Sequence, residues 1–287
     1  MWKGTWHVEQ LTKMTMEPVA VMVVGLGPIG CEVVRAIVAS ESAKLIACVD
    51  IDPDKVGMGV GSLAGVNDVN IEVQPDIERA ISATHTTPDV AILTTTSLWD
   101  DAVHQIETLI RHGIDVVTSA EECLSPRSFH WDNATKLNDL CIRYDARVVA
   151  AGVNPGLVMD RLPVFLCQAC SDVKRVCVTR IVDLRERREQ LRRKMGVGCS
   201  LSEVNQLLSE RKLGHVGLRE SVCYIAQALG LEINTITECI EPLPSDEGDN
   251  AVNGLRHRAQ GLHGERLVID LLLVMELDAP NPRDEIH

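Results

Sequence analysis

A glycine-rich turn is the first feature of this chain that suggests chemistry. Its sequence, GLGPIG, follows the β-branched apolar run at 19–24 and precedes apolar residues at helical spacing. A turn from a strand into a helix can bind phosphate, because the first N–H groups of a helix have no partner within it. The three glycines suit a tight turn, the approach of a pyrophosphate and close packing of helix on strand. We therefore expect all six residues to contact a dinucleotide: Gly25, Leu26, Gly27, Pro28, Ile29 and Gly30.

An acidic residue follows at the distance that a dinucleotide site requires. The strand-like segment KLIACVD ends in Asp50, about 20 residues past the last glycine of the turn. A carboxylate there can accept hydrogen bonds from ribose hydroxyls and repels a 2′-phosphate, so NAD is preferred and NADP stays open. Lys55 can offset that repulsion, but we interpret it as a solvated surface lysine.

Hydroxyl side chains end another strand-like segment, DVAIL at 89–93. They lie where doubly wound folds bind their ligands, so we expect them to line the cofactor. Ser97 fits the N-cap of the following helix equally well, and both roles can hold. The four residues are Thr94, Thr95, Thr96 and Ser97.

Two adjacent glutamates, Glu121 and Glu122, follow the strand-like segment at 115–118. Their position at the carboxyl edge of the predicted sheet is where a nicotinamide ring is expected. A carboxylate in a partly desolvated cleft can hold a substrate ammonium or take its proton, so both are candidate catalytic residues. The alternative is that they are first-turn acids favoured by a helix dipole.

Two further polar residues are candidate binding groups. Asn154 lies in the loop GVNPG, where it can pair with the carboxamide of nicotinamide or belong to a plain interdomain turn. His215, in the segment GHVG, is a candidate substrate-binding residue, although a lone histidine is more often structural. The basic run at 185–194 is interpreted as a solvated helix face.

The elements that must position these residues change in type along the chain. Up to residue 152, short apolar strands alternate with helical patterns, including one at 127–144, which predicts an α/β fold with a Rossmann-type doubly wound parallel sheet. Beyond it, longer strands at 173–182, 231–240, 252–263 and 267–277 predict an α+β domain with a mainly antiparallel sheet. Helical patterns at 184–195, 202–211 and 219–229 accompany them. We expect an N-terminal extension at 1–17, a dinucleotide-binding domain at 18–152 and a substrate and dimerisation domain at 153–287.

Composition excludes several classes of function. The net charge of −13 argues against nucleic acid as a partner, and the sequence has no apolar run long enough to span a membrane. Ten cysteines at irregular spacing predict thiols in a reducing, cytoplasmic compartment. The one CxxC pair, Cys167 and Cys170, is interpreted as buried on a helix, and no metal site is expected.

Several segments together resemble the 2,4-diaminopentanoate dehydrogenases and native amine dehydrogenases, whose N-terminal domain is similar to that of dihydrodipicolinate reductase. The segments are GLGPIG, VTSAEE, GVNPGLVMD, RR through KMG at 187–196, and GHVGLRES. The resemblance implies NAD(P)-dependent oxidative deamination of a primary amine to a ketone and ammonia, or the reverse, with the Glu121 and Glu122 pair binding the amine. It also implies further strand and helix after residue 287, so we expect a chain truncated at its C-terminus. We further expect a homodimer through the second sheet.

Two alternatives remain open. A dihydrodipicolinate reductase-like imine reductase would share the fold and the cofactor, but its paired histidines have no counterpart in this sequence. A non-catalytic NAD(P)-binding sensor would keep the glycine turn and has no need of the two glutamates.

Overall fold

The structure is a computed structural model that describes residues 17–67, 69–210, 212–245 and 251–287. The expected N-terminal extension, apart from Glu17, lies outside the described residues. Among the described helices, none has both the length and the apolar character needed to cross a membrane.

The first sheet has six strands in the order β3-β2-β1-β4-β5-β6. β1 pairs in parallel with β2 and with β4, and β2 pairs in parallel with β3. Residues Val21–Val24 are buried on both faces of β1, as expected for a β-branched run at the centre of a parallel sheet. The predicted Rossmann-type α/β architecture is therefore confirmed. The strands are β1 (Val19–Val24), β2 (Ala43–Val49), β3 (Val73–Gln74), β4 (Val90–Leu93), β5 (Asp115–Thr118) and β6 (Val148–Ala150).

Helices alternate with these strands. α1 begins with Pro28, which suits the first helical position because its missing N–H would have no partner there. The helices are α1 (Pro28–Val38), α2 (Val60–Ala64), α3 (Ile77–Ala83), α4 (Trp99–Arg111), α5 (Pro126–Phe129), α6 (Trp131–Tyr144) and α7 (Arg161–Cys167), with a 3₁₀ helix at Glu121–Leu124.

The second sheet has five strands in the order β11-β7-β10-β9-β8. β8, β9 and β10 pair antiparallel in sequence, as predicted, and β11 pairs antiparallel with β7. β7 and β10 are parallel, so the sheet is mixed. Its strands are β7 (Val176–Asp183), β8 (Thr235–Pro244), β9 (Val252–His263), β10 (Arg266–Glu276) and β11 (Arg283–Ile286); the helices here are α8 (Glu189–Lys194), α9 (Leu201–Ser209) and α10 (Leu218–Leu229).

A buried apolar core joins one face of this sheet to α10. Leu271 and Leu273 of β10 and Ala259 of β9 contribute to it from the sheet, and Val222 and Ile225 contribute from the helix. Leu255, Val268 and Ile269 are also buried in this core. The alternation of buried and partly exposed residues along β9 and β10 leaves the opposite face of the sheet more open.

The chain forms two compact units, and both are discontinuous in sequence. Among the described residues, the first comprises 17–95, Gln105–Val117 and Tyr144–Arg147. The second comprises Thr96–His104, Thr118–Arg143 and Val148–His287. The domain limits at 18–152 and 153–287 stay predictions.

Three local predictions are wrong. The helix expected at 127–144 is broken at His130, whose backbone has φ −130° and ψ 45°. The helix expected at 184–195 begins only at Glu189, because Arg185 is tied into a turn by its backbone N–H and guanidinium, both of which donate to the Asp183 carboxylate. Cys170 is exposed, because α7 ends at Cys167 and so does not carry both cysteines.

Candidate active site

The glycine turn of the first unit is shaped by close contacts on one side and open space on the other. Gly25 has φ +93°, a conformation that L side chains rarely adopt. A Cβ on Gly30 would lie 1.8 Å from the Gly25 carbonyl oxygen, so glycine is required for α1 to approach the turn. A Cβ on Gly27 would meet nothing within 4 Å. The turn therefore fits a pyrophosphate, with the N–H groups of Ile29 and Gly30 available as donors at the helix start.

Asp50 is directed back at this turn. Its Oδ2 accepts hydrogen bonds from the Leu26 N–H (2.7 Å) and from Lys55 Nζ (3.0 Å), and its Oδ1 accepts one from the Asp52 N–H (2.9 Å). Burial opposes ionisation of Asp50, but the two N–H groups and the ammonium outweigh it, so the pKa of Asp50 is lowered. Asp50 thus fixes the Leu26 peptide of the turn as well as facing the expected ribose position.

Lys55 is not the solvated surface lysine that we expected. Its side chain is only 27% exposed and forms ion pairs with Asp50 and, at 3.6 Å, with Asp52. Burial tends to lower the pKa of Lys55, but the two carboxylates raise it. The pair partly neutralises the charge of Asp50, so the repulsion of a 2′-phosphate is weaker than Asp50 alone implies.

The three threonines that follow β4, Thr94, Thr95 and Thr96, form hydrogen bonds with different parts of the structure. Thr94 Oγ1 donates to the Gly25 carbonyl oxygen at 2.8 Å and so supports the glycine turn. Thr95 Oγ1 donates to Gln105 Oε1 at 3.0 Å. Thr96 Oγ1 accepts from the Leu98 N–H at 3.2 Å and so forms a turn just before α4. The Ser97 carbonyl oxygen accepts the Glu122 N–H at 3.2 Å, and a capping role for the Ser97 side chain stays a prediction.

Glu122 anchors the candidate chemistry of the second unit. Its Oε2 accepts the Trp99 N–H at 2.8 Å, which caps α4 and places a negative charge at a helix N-terminus. Oε1 lies 3.5 Å from Arg219 Nη2, and Oε2 lies 4.0 Å from His130 Nε2. The side chain is 16% exposed. The first-turn interpretation is thus partly right, but the helix that Glu122 stabilises is α4 rather than its own.

His130 and Trp99 form a stacked pair beside Glu122. Their rings are parallel to within 15°, with centroids 5.3 Å apart. The His130 backbone closes α5, since its N–H donates to the Pro126 carbonyl oxygen at 2.7 Å, and opens α6, since its carbonyl oxygen accepts the Ala134 N–H at 2.8 Å. The break between the two helices therefore presents the imidazole.

Arg219 joins two carboxylates at the start of α10. Its Nε donates to Glu220 Oε1 at 2.9 Å, and its guanidinium lies 4.3 Å over the Phe129 ring. Glu220 is fully buried, and burial raises its pKa even though Arg219 opposes the shift. Arg219 therefore forms ion pairs with both Glu122 and Glu220.

Glu121 lies where three sequence segments meet. Gly217, with φ +99°, has no room for a side chain: a Cβ there would lie 2.5 Å from Pro155 Cγ and 2.9 Å from Glu121 Cβ. The segments VTSAEE, GVNPG and GHVG, which carry the family resemblance, are thus in contact within the second unit. Glu121 contributes packing at this junction, and Glu122 carries the polar contacts described above.

Asn154 and His215 are partners. The peptide bond between Asn154 and Pro155 is cis, and the loop is fixed by Asp160, which accepts the Gly156 N–H at 2.7 Å and the Ser221 hydroxyl at 3.0 Å. His215 Nε2 lies 3.0 Å from the Asn154 carbonyl oxygen. Asn154 Nδ2 lies 3.3 Å from the same Nε2. The contact with the carbonyl oxygen, which only accepts, is the shorter of the two and favours the tautomer with the proton on Nε2. Burial first, and then the neighbouring His257, lower the pKa of His215 to about 3, so the ring is neutral.

A cavity of about 600 Å³ collects these groups within the second unit. Its walls combine charged, polar and apolar residues. They are Leu98, Asp100, Glu122, His130, Leu208, Leu213, His215, Val216, Gly217, Arg219, Glu238 and Ile240. Three of the lining groups are carboxylates and one is a guanidinium, so the walls favour a cation. A carboxylate and a histidine on one wall can also exchange protons with a bound amine.

Sequence reasoning identified Glu122 and His215 but missed several partners. Trp99, His130, Arg219 and Glu238 carry no periodicity or spacing that marks them. Arg219 and Glu220 lie in the segment GHVGLRES, so the resemblance had pointed to their position without giving them a role.

Among the described residues there is no group of three or more His, Cys, Asp or Glu side chains arranged to hold a metal ion.

Two family models match the chain. The model described as the 2,4-diaminopentanoate dehydrogenase C-terminal domain matches residues 157–274, and the model described as the dihydrodipicolinate reductase N-terminus matches residues 19–120. The chain is 27% identical over 246 residues to 2,4-diaminopentanoate dehydrogenase of Acetoanaerobium sticklandii, covering 80% of this chain and 66% of that protein. It thus spans just under two thirds of the length of that relative.

Solved structures share the fold. An amine dehydrogenase from Mycobacterium smegmatis matches with a TM-score of 0.77 at 20% identity, covering 93% of this chain and 82% of that one. A biliverdin reductase from Synechocystis sp. PCC 6803, solved with biliverdin and NADP+, matches with a TM-score of 0.58 at 10% identity, covering 94% and 76% of the two chains.

The Rossmann-type sheet, its glycine turn and the second mixed sheet define the class of fold: the chain has the fold of the NAD(P)-binding dehydrogenases. Within that class the chain is similar to 2,4-diaminopentanoate dehydrogenase, through the C-terminal domain model and the relative, and the resemblance predicted from the sequence is confirmed.

Proposed function

We propose that this protein oxidises a primary amine to a ketone and ammonia, or runs the reverse reductive amination, with NAD or NADP as cofactor. The observation that carries the proposal is the half-buried Glu122 carboxylate on a cavity whose walls favour a cation. The relationship to 2,4-diaminopentanoate dehydrogenase over 80% of the chain supports the amine as substrate class.

The protein's own groups divide the work in this proposal. The turn at 25–30 holds the cofactor phosphates, with Asp50 near the ribose, Thr94 supporting the turn and Asn154 as a candidate partner of the carboxamide. A bound nicotinamide supplies a hydride acceptor for the amine-bearing carbon. Glu122 holds the substrate ammonium and takes its proton, since the neutral amine is the form that releases a hydride. Arg219, stacked on Phe129, keeps the Glu122 carboxylate in place.

His215 has a separate role. Its neutral ring lines the cavity, so it can contact the substrate without adding a positive charge there. The iminium product is hydrolysed to the ketone and ammonia, and the ionised walls admit the water that this step needs.

Exchange of one carboxylate for an amide tests the proposal. Glu122→Gln keeps an acceptor for the Trp99 N–H but cannot take a proton, so kcat for amine oxidation is expected to fall by about 10² to 10⁴-fold. The Kd for NAD and NADP, measured by fluorescence titration, is expected to stay within about twofold.

Two further variants make the test specific. Glu121→Gln is expected to lose much less activity than Glu122→Gln, because Glu121 packs at Gly217. Glu265→Gln, exposed in the turn between β9 and β10, is the matched control. Full activity in Glu122→Gln, or no amine oxidation by the unaltered protein over a panel of primary amines and 2,4-diaminopentanoate, would refute the assignment.

We also propose that the protein is a cytoplasmic homodimer. The more open face of the second sheet carries the partly exposed Ile181 and Leu272 beside charges of both signs, such as Arg256 and Glu241, which pair at 3.7 Å. A twofold axis would bring this face against its own copy, where opposite charges can pair. Analytical ultracentrifugation tests the dimer, and a monomer at micromolar concentration excludes it.

All ten cysteines are free thiols, which supports the proposal of a reducing, cytoplasmic compartment.

A further inference from the structure

We propose that His130 is a second proton carrier of this site, which takes the substrate proton from Glu122 and passes it to solvent. The inference rests on the proposed function for the origin of the proton. The inference goes beyond the proposed function because it gives a proton-transfer role to His130, which neither the sequence pattern nor the comparisons single out.

The first support is an unused nitrogen next to the carboxylate. His130 Nε2 is buried and has no hydrogen-bond partner in the described structure. It lies 4.0 Å from Glu122 Oε2, and both side chains line the same cavity. This distance is longer than a hydrogen bond, so a proton crosses through one water molecule or after a small rotation of either side chain.

The second support is that the ring is held in place. Trp99 stacks on one face of the imidazole, and the same Trp99 donates its backbone N–H to Glu122. One residue therefore orients both members of the proposed pair. The helix break at His130, fixed by hydrogen bonds on both sides, prevents the backbone from moving the ring away.

The other histidine of the cavity cannot replace it. The Nε2–H of His215 is committed to the Asn154 carbonyl oxygen, and burial keeps the ring neutral. The charged groups that share the cavity with His130 are Asp100, Glu122, Glu238 and Arg219. Because acids outnumber bases among them, a transient imidazolium is tolerated there.

The step balances in atoms and charge. An N–H bond of the substrate ammonium breaks as an O–H bond forms on Glu122, which leaves a neutral amine. That O–H bond then breaks as an N–H bond forms at His130 Nε2, giving a carboxylate and an imidazolium. The imidazolium releases one proton to water and returns to neutral. One proton thus leaves for each hydride that the amine carbon gives up, as oxidation of an ammonium to an iminium requires.

Chemical rescue tests the role. His130→Gln is expected to lower kcat for amine oxidation about 10²-fold, with recovery when imidazole is added, because a small base can occupy the space and carry the proton. His130→Phe keeps a ring on Trp99 and is expected to lose activity equally. His263→Gln, at the exposed end of β9, is the matched control. Unchanged kcat in both His130 variants overturns the proposal, as does a loss that no concentration of imidazole reverses and that leaves the pH profile unaltered.

Failure of this inference and failure of the proposed function are distinguishable. If the unaltered protein oxidises no amine over the panel, the proposed function fails. If it oxidises an amine and both His130 variants keep its kcat, the proposed function stands and the proton transfer from Glu122 to His130 is overturned.

Discussion

The glycine turn and the cavity of the second unit are built in opposite ways. The turn uses six consecutive residues, supported by Asp50 and Thr94, and its contacts are mainly backbone contacts. The cavity draws its walls from side chains of segments that lie far apart in sequence, from Leu98 to Ile240. Local geometry therefore shapes the proposed cofactor site, whereas packing of distant segments shapes the proposed site of chemistry. Damage to the two regions should have different consequences.

The largest effect is expected at the turn, where packing allows no side chain. Gly30→Ala places a Cβ 1.8 Å from the Gly25 carbonyl oxygen, so α1 has to move, at a cost of about 3 kcal/mol or more in the free energy of unfolding. Urea unfolding measures this loss. Gly27→Ala is the matched control, since its Cβ meets nothing within 4 Å.

The control variant sharpens the comparison. Gly27→Ala is expected to keep the stability of the unaltered protein but to raise the Kd for NAD(P) about tenfold, because the new methyl group occupies the approach of the pyrophosphate. Equal stability of the two alanine variants would contradict the packing argument, and an unchanged Kd in Gly27→Ala would contradict the proposed cofactor site.

A smaller effect is expected at the junction of the second unit. Gly217→Ala forces an L side chain into φ +99° and against Pro155 and Glu121, which should cost about 2 kcal/mol. Because the junction lies beside Glu122, kcat for amine oxidation should fall while the Kd for NAD(P) stays constant. Gly264→Ala, in a turn with φ +62° and no neighbour within 4 Å of the Cβ, controls for backbone strain alone. A rise in Kd in Gly217→Ala would mean that the two regions are not energetically separate.

The smallest effect concerns the choice of cofactor. Lys55→Ala removes the ammonium that neutralises Asp50, so the affinity for NADP relative to NAD should fall about five- to tenfold, equivalent to roughly 1 kcal/mol. Titration of both nucleotides against the variant measures the ratio. Lys44→Ala, on an exposed lysine of β2, should leave the ratio unchanged. A constant ratio in Lys55→Ala would show that the ion pair does not affect the 2′-phosphate.

The first region was largely predictable from the sequence. The strand, the glycines and Asp50 lie within about 30 residues, and each follows from a local rule on backbone conformation or helix ends. The role of Lys55 was not predictable, because an ion pair depends on how the side chain folds back across the loop after β2. Its exposure was overestimated for the same reason.

The second region was predictable only in part. The glutamate pair and the GHVG segment stood out, but the pattern did not separate Glu121 from Glu122, since that choice depends on where α4 and Arg219 lie. His130 was hidden inside an apparently continuous helical pattern. The helix break at His130 accompanies stacking of its ring on Trp99, about 30 residues earlier in the chain. No local propensity encodes such a distant contact.

The parallel pairing of β7 with β10 has a consequence for the order of folding. Val176 pairs with Ile269, about 90 residues further along the chain, and the other neighbour of β7, β11, comes later still. During synthesis β7 emerges with both edges unpaired and waits until the hairpin of β9 and β10 has been made. Its burial is thus a late event, and the nascent chain is most prone to aggregation in the interval between these strands.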